Sequence, residues 1–500
     1  MIWERMPEVE EATVRPRRGN NMNDMILILD STQEAGQEIA KRLRAEKICA
    51  QIVPAGTSAE EIRARDPLGL ILCGGANACP EILDPAITEL GIPVLAIGKA
   101  AYGLLAVLGG AHADVAISEK KAPMTYSKSA LFTGIGDAER FFARAHTLML
   151  PADVKEIASA AGCTIGFEDT EKRIYGVQFD LERNDPEGSA ILMNFVMDIC
   201  GCSCTWTMEN ALAKAEEALA GAAEKGGHAV CAVSGGVDSA LCALLTHRAF
   251  GERMTAIFVD TGLMREGEAQ NVQSTMEALG IPMLCVDRSK EILLSLAHKR
   301  DMEEKRTVVV ERMYAEILAQ SAAIPGEKTL VLGTNYSDFL ESGSGAPKWR
   351  TSGMTVAEPL ENLFKDEVRA IARMLDMGEE LVSRKPFPAL GLGARIVGEV
   401  TAQRLCALRT AEKIFRAEIE QAGLERRLYK YFPVLIEWGT SGQELMVLRA
   451  VMLSGGQLIP ARLPYDLVER TVAGIQENLP MITRVLYDQT PSQLGQESFN

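Results

Sequence analysis

Six residues, Ser234-Gly235-Gly236-Val237-Asp238-Ser239, place two hydroxyls, two glycines and a carboxylate between two apolar runs. Glycines let a backbone approach a ligand closely, and serine hydroxyls add hydrogen-bond donors. The run before them, Ala229-Val230-Cys231-Ala232-Val233, is apolar throughout, as a strand buried on both faces would be. The run after them, Ala240 to Leu245, meets no glycine or proline until Gly251 and reads as a helix. Strand, tight loop and helix in that order turn the unpaired N–H groups of a helix start toward one point, where they favour an anion. A phosphate or pyrophosphate fits. Asp238 would repel such a guest, so it is assigned to the Mg2+ that accompanies it. A Walker A loop needs Gly-Lys-Ser/Thr after four spacer residues, and no lysine stands here. Its absence points to a nucleotide cleaved between its α and β phosphates rather than at the γ phosphate. The competing reading is a plain glycine-rich turn.

The rest of the chain must position this loop. Five hundred residues suffice for two to four domains, and 47% hydrophobic with 24% charged content is ordinary for a globular protein. A net charge of −16 argues against a general nucleic-acid-binding surface. Eleven cysteines, odd in number and scattered, read as reduced thiols of a cytoplasmic protein. Cys200, Cys202 and Cys204 alternate closely, but no histidine cluster accompanies them, so they read as packing residues. No run approaches transmembrane length, and residues 1–24 are charged and lack the apolar stretch of a secretory signal. They are expected to be a disordered extension or to precede the true start of the chain.

From Met25 onward, apolar runs alternate with helical patterns. Strands are expected at Met25–Asp30, Gly69–Gly75, Ile92–Gly98 and Tyr175–Phe179, and helices around Gly36–Arg44 and Ala100–Leu108. A helix over Met208–Lys225 then leads to strands at Ala229–Val233, Thr255–Asp260, Met283–Asp287 and Thr329–Gly333. Both halves predict an α/β fold with a largely parallel sheet, the second doubly wound with its ligand at the carboxyl ends of the strands.

The loop itself resembles the PP-loop of ATP pyrophosphatases, which adenylate a substrate and release pyrophosphate. The order and wording of the whole chain after Met25 resemble the GMP synthase family. "ELGIPVLAIGKAAYGLLAVLGG" and "KRIYGVQFDLERNDPEG" stand where that family's class I glutamine amidotransferase domain carries its catalytic cysteine and histidine. The cysteine position falls on Gly98, the histidine position on Asp180, and Glu182 keeps the third position. A thioester mechanism needs a thiolate and an imidazole to activate it, so this domain is expected not to hydrolyse glutamine. Tyr102 and Cys73 are expected to be packing residues, and His146 to be structural.

"AVSGGVDSALCALL", "FVDTGLMREGEA", "EEKR", "LGTNYSDFLESGSG", "EPLENLFKDEVR" and "KPFPALGLGARIVGEV" follow in the family's order. The resemblance implies ATP contacts at Ser234 to Ser239, Asp260, Thr261, Gly333 and Thr334. It implies catalytic roles for Asp238, Lys365, Asp338 and Glu341, and substrate-nucleotide contacts for Arg306 and Arg395. A guanidinium forks onto phosphate, which suits Arg306, although Lys305-Arg306 alone would read as a solvated helix face. The acidic residues after Thr334 could equally be polar loop residues, and Lys365 could serve a catalytic loop or a helix pairing. "ARLPYDLVERTVAGIQENLPMITRVLYD" resembles the family's C-terminal dimerisation domain, with Leu467, Val468, Val472 and Ile475 on one helix face, and implies a homodimer.

These matches divide the chain into an extension at 1–24, an amidotransferase-like domain at 25–204, a PP-loop domain at 205–397 and a small α+β dimerisation domain at 398–500. The departures gather on the substrate side. The lid after Glu341 is short, the family's Pro-Gly-Pro-Gly loop reads Pro388-Ala389-Leu390-Gly391, and a segment around Gly439 to Met446 differs. The C-terminal lysine and glutamate that hold xanthosine monophosphate in the family fall on Ser492 and Ser498. Each lost charged contact would remove roughly 1.5–3 kcal/mol. Three readings remain open: a GMP synthase-like ligase using ATP and Mg2+ with ammonia from solution or from a partner protein, a PP-loop paralogue with another acceptor or with sulfur in place of ammonia, and a non-catalytic nucleotide-binding regulator.

Overall fold

The computed structural model describes residues 24–31, 34–74, 83–117, 121–136, 139–141, 145–181, 185–336, 354–385, 387, 390–438, 443–454 and 457–493. The chain divides into two compact units, Met1–Ala211 and Leu212–Asn500.

The first unit is built on parallel strands, three of them expected from the sequence and one, at Cys49–Pro54, not. They are β1 (Met25–Asp30), β2 (Cys49–Pro54), β3 (Gly69–Cys73) and β4 (Val94–Ile97), with helix α1 (Glu34–Ala45) after β1 and α2 (Ala100–Val107) after β4. Every residue of β1, β3 and β4 is buried, as their apolar runs require, and Asp30, which ends β1, is buried with its carboxylate accepting from Gly36 N at 2.6 Å. A ribbon of β5 (Ala111–Ile117) with β7 (Ala145–Met149) lies beside the sheet path, which continues through β6 (Thr125–Tyr126), β8 (Lys155–Ala160), β9 (Cys163–Asp169) and β10 (Ile174–Val177). The eight-stranded order is β2-β1-β3-β4-β10-β9-β8-β6. Strands from β2 to β10 run parallel, with Val177 opposite Ile97, and β9, β8 and β6 add antiparallel.

Helix α3 (Met208–Glu224) precedes the second sheet. In chain order that sheet and its helices are β11 (His228–Val233), α4 (Val237–Phe250), β12 (Met254–Asp260), α5 (Glu268–Ala278), β13 (Met283–Asp287), α6 (Met302–Ala322), β14 (Lys328–Val331), β15 (Thr355–Ala357), α7 (Lys365–Met374) and the short α8 (Glu379–Val382). The order β13-β12-β11-β14-β15 is parallel throughout. The chain steps outward from β11 to β13 and returns on the other side as β14. The crevice at the carboxyl ends of β11 and β14 is therefore the switch point where such sheets bind ligands.

A second sheet in the same unit comprises β16 (Ile396–Val397), β17 (Lys430–Trp438), β18 (Gln443–Ser454), β19 (Gln457–Pro460), β20 (Ile482–Asp488) and β21 (Ser492–Gln493), crossed by α9 (Ala402–Gln421) and α10 (Tyr465–Asn478). The apolar face expected on α10 is spent inside this unit. Leu467 and Ile475 are fully buried in the core that also holds Leu408, Ala411, Phe415 and Ile419 of α9, while Val468 and Val472 are half-buried. The strand expected over Thr329–Gly333 stops at Val331, because Gly333 is drawn against the start of α4, as its contacts below show.

Candidate active site

Ser234, Gly235 and Gly236 form the turn between β11 and α4. Gly235 takes φ +84°, a conformation that side chains resist, and a Cβ there would strike the side chain of Val272. The hydroxyl of Ser239 accepts from Ser234 N at 3.1 Å and lies 3.1 Å from Ser234 Oγ, and it donates to Gly236 O at 3.0 Å. Ser234 N–H is thus spent within the loop. The next four N–H groups, Gly235 to Asp238, meet no acceptor among the described residues, and Ala240 N is the first of α4 to bond back, to Gly236 O at 3.1 Å. Four consecutive free amides at a helix start form an anion cradle.

Gly333, two residues past β14, closes one side of that cradle. A Cβ on it would lie 2.9 Å from both the N and the Cα of Ser239. The glycine is there so that one backbone can touch another. Thr334 follows and donates to Glu358 Oε1 at 2.8 Å. Asp260 ends the neighbouring β12, its carboxylate accepting from Gly262 N at 2.8 Å. Buried Thr261 accepts from Leu263 N at 3.3 Å through its hydroxyl. Both are occupied in shaping the turn after β12.

Asp238 is nearly buried, at 9% exposure, and both its oxygens are engaged. Lys365, the first residue of α7, forms a close ion pair with Oδ2, and buried Asn335 donates to Oδ1 at 3.4 Å. Lys365 therefore reaches the loop rather than pairing along its own helix. Asp238 also suits magnesium, which commonly takes one or two protein carboxylates plus substrate phosphate oxygens. Among the described residues no group of three or more histidine, cysteine or carboxylate side chains forms a metal cluster, which a one-carboxylate site does not need. Asp338 and Glu341 lie outside the described residues.

The two arginines expected on the substrate are placed differently from each other. Arg306 stands exposed on α6, its nearest carboxylate Glu303 at 4.0 Å. Its neighbour Lys305 is the buried one, donating to Ile396 O at 2.8 Å, and burial pushes its amine down to about 8. Arg395 is enclosed. It donates to Glu412 Oε1 at 2.8 Å and lies over the rings of Phe387 and Phe432 at 5.3 and 4.7 Å. Burial drops its guanidinium to about 10, against the opposing pull of Glu412. Arg265 donates to the same Glu412 oxygen at 2.7 Å. The structure brings Asp238, Lys365 and Gly333 to the loop, whereas Arg395 is committed to an internal ion pair.

Sequence reasoning missed Asn335, Glu358, Glu268 and Arg384. Asn335 follows Thr334 and Arg384 precedes Lys385-Pro386-Phe387, so both border segments already singled out.

In the first unit, Gly98 sits between β4 and α2 with φ +63°, in the sharp strand-to-helix turn that nucleophile elbows use. Its N–H donates to Val177 O at 2.8 Å, and an added Cβ would meet no atom within 4 Å. The elbow is retained without a side chain. Tyr102 OH donates to Gln178 Oε1 at 2.5 Å, and His146 N donates to the same oxygen at 2.9 Å. Gln178 Nε2 donates to His146 O at 2.6 Å, so Tyr102 joins a hydrogen-bonded network rather than only packing, and His146 belongs to the same network. His146 Nδ1 lies 3.2 Å from Ala113 O, and Cys73 is buried. Asp180 is half-buried in charge range of Arg42, and Glu182 lies outside the described residues. Burial raises the Cys202 thiol to about 12 and Cys200 well above its usual value, so neither is a thiolate at neutral pH. No helix among the described residues is long and apolar enough to cross a membrane.

Residues 215–398, which contain the cradle, match the NAD synthase family model. The chain is 35% identical over 506 residues to "GMP synthase [glutamine-hydrolyzing]" of Geobacillus kaustophilus, covering 93% of this chain and 98% of that protein. It is 35% identical to the protein of that name in Caldicellulosiruptor saccharolyticus, covering 94% and 98% of the two chains. Against the one in Mycolicibacterium paratuberculosis it is 34% identical, covering 98% of each. With the free-amide turn at its switch point and full-length likeness to these proteins, the chain belongs to the GMP synthase [glutamine-hydrolyzing] family.

Proposed function

We propose that the protein, an ATP-dependent ligase of this family, adenylates a purine nucleotide, releases pyrophosphate and then aminates the activated carbon, without hydrolysing glutamine itself. The observation that carries the reading is the row of free amides from Gly235 to Asp238. They meet the β and γ phosphates of ATP and take up charge as that pyrophosphate leaves, a role worth more in the transition state than in the ground state. A carbonyl oxygen of the nucleotide attacks the α phosphorus, and the α–β bridging oxygen departs with the pyrophosphate. Ammonia then adds to the carbon, its surplus proton passes to solvent, and AMP leaves with the former carbonyl oxygen. Asp238 would hold the Mg2+, which when bound supplies charge neutralisation to the phosphates. Lys365 keeps Asp238 compensated and adds positive charge beside the leaving group.

Gly98 supplies no nucleophile and Asp180 supplies no imidazole to activate one, so ammonia is taken from solution or from a partner protein. Xanthosine monophosphate is the first acceptor to try. A different acceptor is favoured by one observation: the Arg395 guanidinium is committed to Glu412 and enclosed by two phenyl rings.

ATP–pyrophosphate exchange across a panel of purine nucleotides, with and without ammonium, tests the reading. Exchange stimulated by xanthosine monophosphate, with GMP formed only when ammonium is added, supports it. Exchange stimulated by another acceptor moves the assignment to that acceptor. Glutamate released from glutamine by the pure protein refutes the glutaminase statement.

A further inference from the structure

The cradle has a brace outside the loop. Arg384, just past α8, donates from Nη1 to Gly235 O at 2.8 Å, and its Nη2 forms a close ion pair with Glu268. Glu268 opens α5 and is 7% exposed. The two contacts span 149 and 116 positions of chain, so three separate segments meet at one guanidinium. Arg384 is itself largely enclosed. Burial, with Arg265 and Arg416 nearby, lowers its pKa, so Glu268 is the carboxylate that compensates it.

The bond to Gly235 O matters because of peptide geometry. The Gly235 carbonyl and the Gly236 N–H belong to one planar trans unit and point in opposite directions. Fixing one fixes the other. This unit is flanked by two glycines, the residues least able to hold a peptide plane in place, and Gly235 already lies at positive φ. Left alone, the plane could turn over and present a carbonyl oxygen where the cradle needs a donor. A cation on the carbonyl holds the plane, and it polarises the amide so that the N–H donates more strongly.

We infer that Arg384, anchored by Glu268, is a positioning residue that aims the Gly236 amide into the cradle and so sets its grip on pyrophosphate. This rests on the adenylation reading for its biological meaning but not for its test, because pyrophosphate binding needs no acceptor. Titration calorimetry of magnesium pyrophosphate, and of ATP with Mg2+, into the full chain compares the parent with Arg384→Gln, Arg384→Lys and Glu268→Gln. Arg384→Gln is expected to weaken pyrophosphate binding about tenfold, the loss of one hydrogen bond from a charged donor. Arg384→Lys keeps a cation near Gly235 O but cannot fork onto both partners, and is expected to recover part of that loss. Glu268→Gln, which leaves the guanidinium in place without its anchor, is expected to weaken binding about threefold.

Where ATP turnover is measurable, Arg384→Gln is expected to lower kcat by 10- to 100-fold while KM for ATP rises less, since the contact tightens as the leaving group gains charge. Loss of thermal stability alone, with pyrophosphate affinity within twofold of the parent, overturns the inference. If Arg384→Gln does not fold, Glu268→Gln decides, and parental affinity in that variant overturns it equally. A parent chain that binds no pyrophosphate refutes the adenylation reading and this inference together.

Discussion

Asp238 and Lys305 show how single groups set the behaviour of this molecule. Replacing Asp238 by asparagine leaves the Lys365 ammonium without its carboxylate in a site where Asp238 is almost fully enclosed. The pair is partly solvated on the lysine side, so the stability loss is expected at about 1–3 kcal/mol, below that of a fully buried pair. Pyrophosphate exchange is expected to fall by about 100-fold or more, a loss of the size seen when one transition-state contact is removed. Calorimetric melting and exchange rates on Asp238→Asn check the two halves separately.

Lys305 predicts a pH effect of opposite sense to a paired surface lysine. Burial depresses its folded-state pKa to about 8 against an ordinary 10.5, so the unfolded chain binds more protons between those values. Stability contributed by this group therefore rises as pH climbs from about 8 to 10.5. Below 8 the buried charge is a standing penalty. Lys305→Met is expected to flatten the slope of melting temperature against pH over that window. An unchanged slope would mean the amine is not the titrating group.

At the scale of elements, the approach of β14 to α4 is the tightest constraint on the cradle. Gly333→Ala would set a methyl 2.9 Å from the Ser239 backbone, which no side-chain rotation relieves. The expected cost is about 1–3 kcal/mol of stability, as for overpacked cores, with a rise in the KM for ATP. Urea unfolding and ATP kinetics on that variant measure both. This contact also explains what was legible in advance. The turn from Ser234 to Ser239 is contiguous, so residue types and spacing reveal its strand, loop and helix. Its partners are not contiguous. Asn335, Lys365 and Arg384 come from 97, 127 and 149 positions away, where no local period links them to the loop. Likewise, the helical period of α10 found Leu467 and Ile475 correctly as one face, but a period cannot say whether that face meets its own core or another chain.

For the molecule as a whole, the second sheet of the Leu212–Asn500 unit leaves Trp438, Leu453 and Leu486 about half exposed. With Leu467 and Ile475 of α10 already buried, these three side chains form an apolar surface on this sheet that suits the homodimer proposed from family likeness. Sedimentation of the parent is expected to show a dimer. Trp438→Lys or Leu486→Lys is expected to shift it toward monomer without lowering the melting temperature of the isolated protomer. Coincident parent and variant boundaries would exclude this sheet from the interface. The family assignment was legible from whole segments because their order survives from end to end. The ion pair of Arg395 with Glu412 was not, because only packing shows which carboxylate a guanidinium meets.

The bend at Gly98 sets the cost of placing any side chain there. A residue with a β-carbon held at that left-handed angle is disfavoured by about 1–2 kcal/mol, and glycine is not. Installing a side chain at this corner must climb against the backbone even though the surrounding space would admit it. Gly98→Cys is therefore expected to keep the fold at a cost of about 1–2 kcal/mol, read as a lower melting temperature.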